Sequence, residues 1–179
     1  TYNVSIGQGG VIISPLQITS VIAAIANCGT LYRPHLLDAV LDGEGNVAQE
    51  INHQIIAAGM IDQAYLREVR IGMRRTVTFG TARSLNNVPV AVAAKTGTAQ
   101  VGTAAPHAWF VAFAPYDKPE IAVTVMVEHG GEGSTIAAPI TRDILNWYFG
   151  DRGKTGSDAN STSTISEILP EASSSTPQN

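Results

Sequence analysis

One short stretch of the sequence carries side chains that could bind an extended peptide. Lys95-Thr96-Gly97-Thr98 lies near the end of an apolar strand pattern, so a positive charge and two hydroxyl groups stand on a rigid support. Gly97 has no Cβ that would block a peptide lying alongside. Such a strand can accept a substrate as an added strand, which is the β-augmentation mode of recognition. The alternative is a structural edge strand whose lysine only discourages aggregation.

The same tripeptide occurs a second time in a different setting. Lys154-Thr155-Gly156 follows the polar residues Asp151-Arg152-Gly153, and no apolar strand supports it. We therefore interpret the second copy as coincidental and assign the chemistry to the copy at Lys95.

Other reactive motifs fail on spacing or context. The glycine-rich segment 43–48 matches a dinucleotide-binding pattern, but it lies in a turn between two strand patterns and no helix follows to receive a pyrophosphate. Gly153-Lys154-Thr155 lacks the earlier glycine of a phosphate-binding loop, and no Gly-x-Ser-x-Gly elbow occurs. No cofactor is therefore predicted.

The four histidines and the single cysteine show no spacing typical of a metal site, so no bound metal is predicted. We expect ordinary strand and loop residues at His35, His53, His107 and His129. Cys28 lies in an apolar run, where a small buried side chain is expected rather than a reactive thiol. With one cysteine, no disulfide can form within the chain.

Two helices are predicted before the motif. Ser14-Pro15 is typical of an N-cap followed by proline, and the apolar spacing up to Gly29 predicts one buried helix with a glycine C-cap. A second, amphipathic helix is predicted from Asp62 to about Thr78. Its apolar positions are Leu66, Val69, Met73 and Val77, and Arg67, Arg70 and Arg74 lie on other faces. Between the helices, residues 34–51 have the form of a hairpin with a glycine-rich turn.

Three strand patterns follow, and the first contains the motif. They cover residues 88–101, 107–116 and 120–129, and the middle one is apolar on both faces, as in a covered sheet. The connections are too short for helical crossovers, so an antiparallel meander is predicted. A final helix over residues 136–149, with Ile140, Ile144 and Tyr148 one turn apart, completes an α+β fold, an antiparallel sheet with helices packed on it.

Composition separates a folded part, residues 1–150, from a Ser/Thr/Pro-rich tail, residues 151–179, which we expect to be disordered. The net charge of -4 is unclustered, so nucleic acid is not an expected partner. No run approaches the roughly 18 apolar residues that span a bilayer. Because the sequence also lacks an initiator methionine, we expect it to begin inside a longer protein, with any membrane anchor in another segment.

The surroundings of the motif resemble the C-terminal half of the transpeptidase domain of penicillin-binding proteins. The resemblance spans about residues 5–150, and Lys-Thr-Gly-Thr-Ala-Gln with Ser-Ile-Gly-Gln-Gly is most similar to the class B, elongation-type enzymes. The family usually has glycine where this chain has Cys28. The matching stretches are Ser5-Ile6-Gly7-Gln8-Gly9, Ser14-Pro15-Leu16-Gln17, Ala26-Asn27-Cys28-Gly29-Thr30, Gly72-Met73-Arg74-Arg75-Thr76-Val77, Gly80-Thr81-Ala82, Lys95-Thr96-Gly97-Thr98-Ala99-Gln100 and Ala108-Trp109-Phe110-Val111-Ala112-Phe113-Ala114-Pro115.

This resemblance implies the α+β fold of penicillin-binding proteins and serine β-lactamases, and a D,D-transpeptidase that cross-links peptidoglycan through a serine acyl-enzyme. It implies that Lys95 supplies positive charge and a proton link. Thr96, Gly97 and Thr98 would bind the substrate with its terminal carboxylate, and the Thr98 backbone N–H would form half of the oxyanion hole. The implied partners are peptidoglycan stem peptides, β-lactam antibiotics and cell-wall elongation proteins. The implied location is the extracytoplasmic face of the bacterial cell membrane.

The sequence departs from the family in its missing nucleophile. Ser-x-x-Lys needs a serine three residues before a lysine, but Val92, Pro115 and Asp151 occupy those positions. Ser84-Leu85-Asn86 spells Ser-x-Asn, yet it lies just before the Lys95 strand and not where the family places that motif, so we expect a loop there. We therefore expect an N-terminal segment of the same protein to supply Ser-x-x-Lys and Ser-x-Asn, and this chain alone to be inactive.

The same residues are also compatible with other functions. A β-lactamase or D,D-carboxypeptidase would use the same strand but pass the acyl group to water rather than to an amine. A β-lactam sensor would keep the acylation site and use it to signal. The missing serine is also compatible with a non-catalytic binding module.

Overall fold

The computed structural model describes residues 8–10 and 12–151, and its first element is helix α1 (Pro15–Ala26). The predicted start is confirmed. The Gln17 backbone N–H donates to the Ser14 hydroxyl at 3.3 Å, and the Ser14 backbone N–H donates to Gln17 Oε1 at 2.8 Å, which completes a capping box. Only Ile22 and Ala26 of the helix are buried, so the prediction of a buried helix is wrong. The helix packs by one face.

The chain leaves α1 through left-handed backbone. The C-cap is Asn27 rather than Gly29, and the next two residues, Cys28 and Gly29, have φ of 65° and 106°. The Gly29 N–H donates to the Ala24 carbonyl at 2.7 Å, which closes the reversal. This turn directs Cys28 to the surface, so the expectation of a buried cysteine is also wrong.

Four short strands form what we call the β arm, residues 31–57. Strand β1 (Leu31–Tyr32) pairs with β4 (Ile55–Ala57), and β2 (Ala39–Leu41) pairs with β3 (Val47–Glu50), both antiparallel. The predicted hairpin is confirmed with shorter strands, whereas the β1–β4 pair was not predicted. At the hairpin turn, backbone N–H groups of Asn46 and Glu44 donate to Asp42 Oδ1 and lower the pKa of that carboxyl.

Helix α2 (Gln63–Thr78) confirms the second predicted helix, and Asp62 caps it by accepting from the Ala64 N–H at 2.7 Å. Leu66, Met73 and Val77 are buried, but Val69 is 47% exposed. A 3₁₀ helix (Arg83–Asn87) occupies the stretch where a loop was expected. There Asn86 donates from Nδ2 to the Val77 carbonyl at 2.9 Å, which ties this short helix to α2.

The predicted meander is confirmed as strands β5 (Ala93–Val101), β6 (Ala104–Ala114) and β7 (Ile121–Val127). The three strands are antiparallel in the order β5-β6-β7. Strand β5 begins at Ala93 rather than at Val88, and β6 begins at Ala104 rather than at His107. The alternating valines at residues 88–92 therefore lie in the segment that precedes β5 and not in the strand itself.

Helices cover both faces of the sheet, which confirms the α+β architecture. Helix α3 (Ala138–Asn146) is flanked by wider helical turns at Gly133–Ala137 and Trp147–Asp151. On one face of β6, Phe113 packs in a cluster with Ile22 of α1, and on the other, Phe110 packs in a cluster with Leu145 of α3. The final predicted helix is confirmed with a shorter α-helical part, and Ile140 and Ile144 on it are 42% and 37% exposed.

Beyond Asp151, the predicted tail and the second Lys-Thr-Gly copy lie outside the described residues. Ser5-Ile6-Gly7 of the first matching stretch also lies outside them. No helix in the described part of the chain has the length and apolar composition that crossing a membrane requires.

Candidate active site

Strand β5 is an edge strand, and it presents Lys95, Thr96, Gly97 and Thr98 in its central part. Their partners on β6 are Val111, Phe110, Trp109 and Ala108, in that order. Because β6 is covered on both faces, its position is fixed by the core, and the position of β5 is fixed by β6. The sequence therefore places the four motif residues on a rigid edge, as a binding strand requires.

The backbone of Thr98 points to the outer edge of the sheet. Gln8 donates from Nε2 to the Thr98 carbonyl at 3.1 Å, and the Gln100 N–H donates to Gln8 Oε1 at 3.4 Å. In an antiparallel ladder the N–H and C=O of one residue point to the same side, and the direction alternates along the strand. The N–H groups of Thr96 and Thr98 therefore also point away from β6, towards a ligand lying along the edge.

Lys95 is exposed next to this edge. Its Nζ donates to the Thr96 carbonyl at 2.7 Å, and no carboxylate in the described part of the chain forms a salt bridge with it. The Thr96 hydroxyl lies 2.9 Å from the Thr81 hydroxyl, which follows α2. Lys95 thus offers an ammonium group, and Thr96 offers a hydroxyl that a neighbouring hydroxyl orients.

Gly97 allows a close approach at the centre of the motif. A Cβ at this position would lie 3.2 Å from the Trp109 Cβ, so even alanine would press on the neighbouring strand. The face that carries Lys95 and Trp109 forms the floor of a groove of about 680 Å³ between the two helices and the sheet. Its walls are mostly apolar and come from α1, α2 and β6: Ile18, Ile22, Ile25, Val69, Gly72, Met73, Thr76 and Val111.

A second glycine supports the motif, and it was not predicted from the sequence. A Cβ on Gly133 would lie 2.1 Å from the Trp109 carbonyl oxygen and 2.5 Å from that of Gly97, so the turn before α3 rests directly on the backbone of β5 and β6. The signal was the run Gly130, Gly131 and Gly133 between two predicted elements. A glycine permits a close backbone approach because it has no Cβ.

The motif residues can bind a carboxylate and polarise a carbonyl, but the sequence lacks the Ser-x-x-Lys nucleophile that belongs with the motif. An ammonium group, outward N–H groups and hydroxyls can hold a carboxylate and stabilise a developing oxyanion. Ser84 and Asn86 belong to the 3₁₀ helix that Leu85 anchors in the core, so Ser84-Leu85-Asn86 has a structural setting. No Ser-x-x-Lys occurs in the sequence.

His35 and His53 lie in loops, as expected, but the fold brings their side chains together. These two side chains and Asp38 bring their ligand atoms within 4.8 Å of one another on the β arm. This contact could not be predicted from spacing because the two histidines are eighteen residues apart, and only the pairing of the arm brings them together. The cluster includes no residue of β5.

Comparison with known proteins matches the chain to one domain type. The model of the penicillin-binding protein transpeptidase domain matches residues 1–146. The chain is 34% identical over 172 residues to the peptidoglycan D,D-transpeptidase MrdA of Haemophilus influenzae, which covers 85% of this chain and 26% of that protein. It is 35% identical over 153 residues to the peptidoglycan D,D-transpeptidase PbpA of Mycobacterium tuberculosis, covering 79% of this chain and 30% of that protein.

A solved structure shows the same similarity in three dimensions. The ceftriaxone acyl-enzyme complex of penicillin-binding protein A from M. tuberculosis superimposes with a TM-score of 0.70 at 32% identity, covering 78% of this chain and 33% of that one. The predicted fold type is therefore confirmed. The chain spans between a quarter and a third of the length of the relatives it matches.

Proposed function

Because the chain belongs to the penicillin-binding protein transpeptidase family, we propose that it supplies the Lys-Thr-Gly strand of a peptidoglycan D,D-transpeptidase. In this reaction a serine hydroxyl attacks the penultimate D-Ala carbonyl of a stem peptide, and the terminal D-Ala leaves with the proton. An amine of a neighbouring stem peptide then attacks the acyl-enzyme and releases the serine. A β-lactam acylates the same serine.

The observation that carries the proposal is the outer edge of β5. Lys95 is exposed beside N–H groups that point away from β6. The motif strand is held in place by its pairing with β6, which helices cover on both faces. In the proposed reaction the Thr98 N–H donates to the oxyanion, which gains charge only as the carbonyl is attacked. Thr96 and Thr98 bind the substrate carboxylate, Gly97 leaves room for the peptide, and Lys95 stabilises the negative charge that gathers there.

We propose that the serine comes from an N-terminal segment of the same protein that carries Ser-x-x-Lys and Ser-x-Asn. The apolar groove beside Lys95 supports this assignment. Its lining is mostly apolar apart from Thr76, Lys95 and Thr96, and a packed segment would bury Ile18, Ile25 and Val69. A serine at the end of such a segment would then lie next to Lys95 and the Thr98 N–H.

The same proposal also gives the cellular location, the partners and the ligands of the complete enzyme. The substrate is extracytoplasmic, so the enzyme acts on the outer side of the cell membrane, anchored by a segment outside this chain. The elongation-type motif residues 95–100 support a role with cell-wall elongation proteins in maintaining cell shape. Peptidoglycan stem peptides and β-lactams are its ligands.

Labelling with a fluorescent penicillin tests whether the serine lies on the N-terminal segment and the Lys-Thr-Gly strand on this chain. The chain alone should remain unlabelled, because it has no activated serine. Addition of the N-terminal segment, or its co-expression, should give a covalent label that resists denaturation and lies on that segment. A covalent label on the isolated chain would contradict the proposal, and so would an unlabelled, folded complex of the two.

A further inference from the structure

The β arm holds three exposed side chains of metal-ligand type at one place. His35 and Asp38 lie between β1 and β2, and His53 lies between β3 and β4. One ligand atom from each of the three side chains lies within 4.8 Å of the other two. Two imidazole nitrogens with one carboxylate oxygen form a common donor set for zinc and related metals.

The backbone holds these side chains together from both sides. The Arg33 N–H donates to the Gln54 carbonyl at 2.7 Å, and the Ile51 N–H donates to the Asp38 carbonyl at 3.0 Å. These bonds continue the β1–β4 and β2–β3 ladders towards the cluster. The two connecting segments therefore run side by side, which brings the three ligand residues to one place without a bound ligand.

The hydrogen bonds of the two rings also suit a metal. His35 Nδ1 lies 3.2 Å from the Arg33 carbonyl, an acceptor, which favours the tautomer with the proton on Nδ1 and a lone pair on Nε2. This bond from the second ring nitrogen to a carbonyl is the usual support of a metal-bound histidine. His35 Nε2 points at His53 Nδ1 across 3.0 Å, and the edge of the Tyr32 ring contacts the His53 ring.

We propose that His35, Asp38 and His53 bind a divalent first-row transition metal, for which Zn²⁺ is the test ion. Metal bonds form through His35 Nε2, His53 Nδ1 and an Asp38 carboxylate oxygen, and water completes the coordination. Two nitrogens on one tetrahedral zinc are roughly 3.3 Å apart for Zn–N bonds of about 2.0 Å. The 3.0 Å separation in the structure thus needs only a small opening.

The bound metal links the two halves of the β arm. It joins the segment after β1 to the segment after β3, which otherwise meet only through short ladders. Binding to the folded arm stabilises it by an amount that rises with the logarithm of the metal concentration over the dissociation constant. The site uses no residue of β5, so it is independent of the transpeptidase proposal.

Zn²⁺ titration of the full 179-residue chain against a chromophoric chelator tests the proposal. We expect one Zn²⁺ per chain, with affinity at least tenfold lower in His53→Gln and in Asp38→Asn. His107→Gln is the matched control, because His107 lies in the other histidine pair and accepts a bond from the His129 N–H. That variant should bind Zn²⁺ with the parental affinity. Circular dichroism of each variant verifies that it is folded.

Nitrogen NMR of the imidazole rings gives a second readout that affinity alone does not provide. Zn²⁺ should shift His35 Nε2 and His53 Nδ1 and leave the rings of His107 and His129 unchanged. A parental affinity in His53→Gln would overturn the proposal, as would shifts confined to the His107 pair. If the folded chain binds no Zn²⁺, the 3.0 Å contact is only a hydrogen bond between two rings and the proposal is wrong.

Discussion

Gln8 shows how the edge of β5 binds a peptide group. Its side-chain amide donates to the Thr98 carbonyl and accepts from the Gln100 N–H, which is the pair of bonds that an adjacent strand would make. The part of the edge beyond Thr98 is therefore occupied by an amide from this chain. The proposed substrate strand would therefore pair nearer to Thr96 and the Thr98 N–H, which lie beside Lys95.

Gly133 is the residue whose replacement should report most directly on how the edge is supported. A Cβ there would come within 2.5 Å of the carbonyl oxygens of Gly97 and Trp109, so the turn or the strands must move. We expect Gly133→Ala to lower the free energy of unfolding by about 1–3 kcal/mol, the usual range for overpacking. Urea unfolding of the chain measures the change.

Gly72 provides the matched control for this prediction. It lies within α2, and a Cβ there would meet no atom within 4 Å. Gly72→Ala should raise the stability by about 0.5–1 kcal/mol, because alanine favours the helix. Equal stability of Gly133→Ala and the parent would show that the turn does not rest on the strands.

At the scale of elements, Arg70 joins three parts of the chain. From α2 it donates to the Ala26 carbonyl at the end of α1 and, at 2.7 Å, to the Tyr116 carbonyl after β6. Its guanidinium also lies over the Phe113 and Tyr116 rings, 5.2 and 5.5 Å from their centres. One charged group thus fixes both helices to the sheet that carries the motif.

Arg70→Met should lower the free energy of unfolding by about 2–4 kcal/mol. The substitution keeps an apolar stem but removes two charge-assisted hydrogen bonds and leaves two carbonyls unpaired. Arg67→Met on the same helix is the control, since Arg67 is exposed and should cost less than about 0.5 kcal/mol. Similar urea midpoints for the two variants would contradict this role for Arg70.

The elements that could be predicted from the sequence are those with local signals. Ser14, Pro15 and Gln17 lie within four residues and form the capping box by themselves, so the start of α1 was predictable. The meander was predictable because β6 and β7 are long, apolar and joined by a short turn. The motif was recognised because it lies on one strand, and its exposed edge follows from the order of that meander.

The features that the sequence did not reveal depend on distant contacts. Strands β1 and β4 have two and three residues, which is too short for a periodic pattern, so the cluster of His35 and His53 was missed. In α3 both faces carry apolar side chains. The face with Ala138, Thr141 and Leu145 is buried, whereas Ile140 and Ile144 remain partly exposed, and the spacing of apolar residues alone does not distinguish the two faces.

At the scale of the whole molecule, the chain has the character of one half of a domain. Its sheet has three strands, and exposed apolar side chains remain on the groove and on α3 in the described part of the chain. The proposed N-terminal segment would cover such surfaces and bring the serine. The division of the chain into residues 1–150 and a disordered tail, 151–179, stays a prediction.

The acylation rate of the domain reassembled with its N-terminal segment tests the central claim most directly. The second-order rate constant for a penicillin should fall about tenfold or more in Lys95→Ala, because a charge that stabilises the transition state is lost. Lys154→Ala removes the lysine of the second Lys-Thr-Gly copy and should acylate at the parental rate. If folded Lys95→Ala also acylates at the parental rate, the lysine is only structural and the assignment of β5 to the active site is wrong.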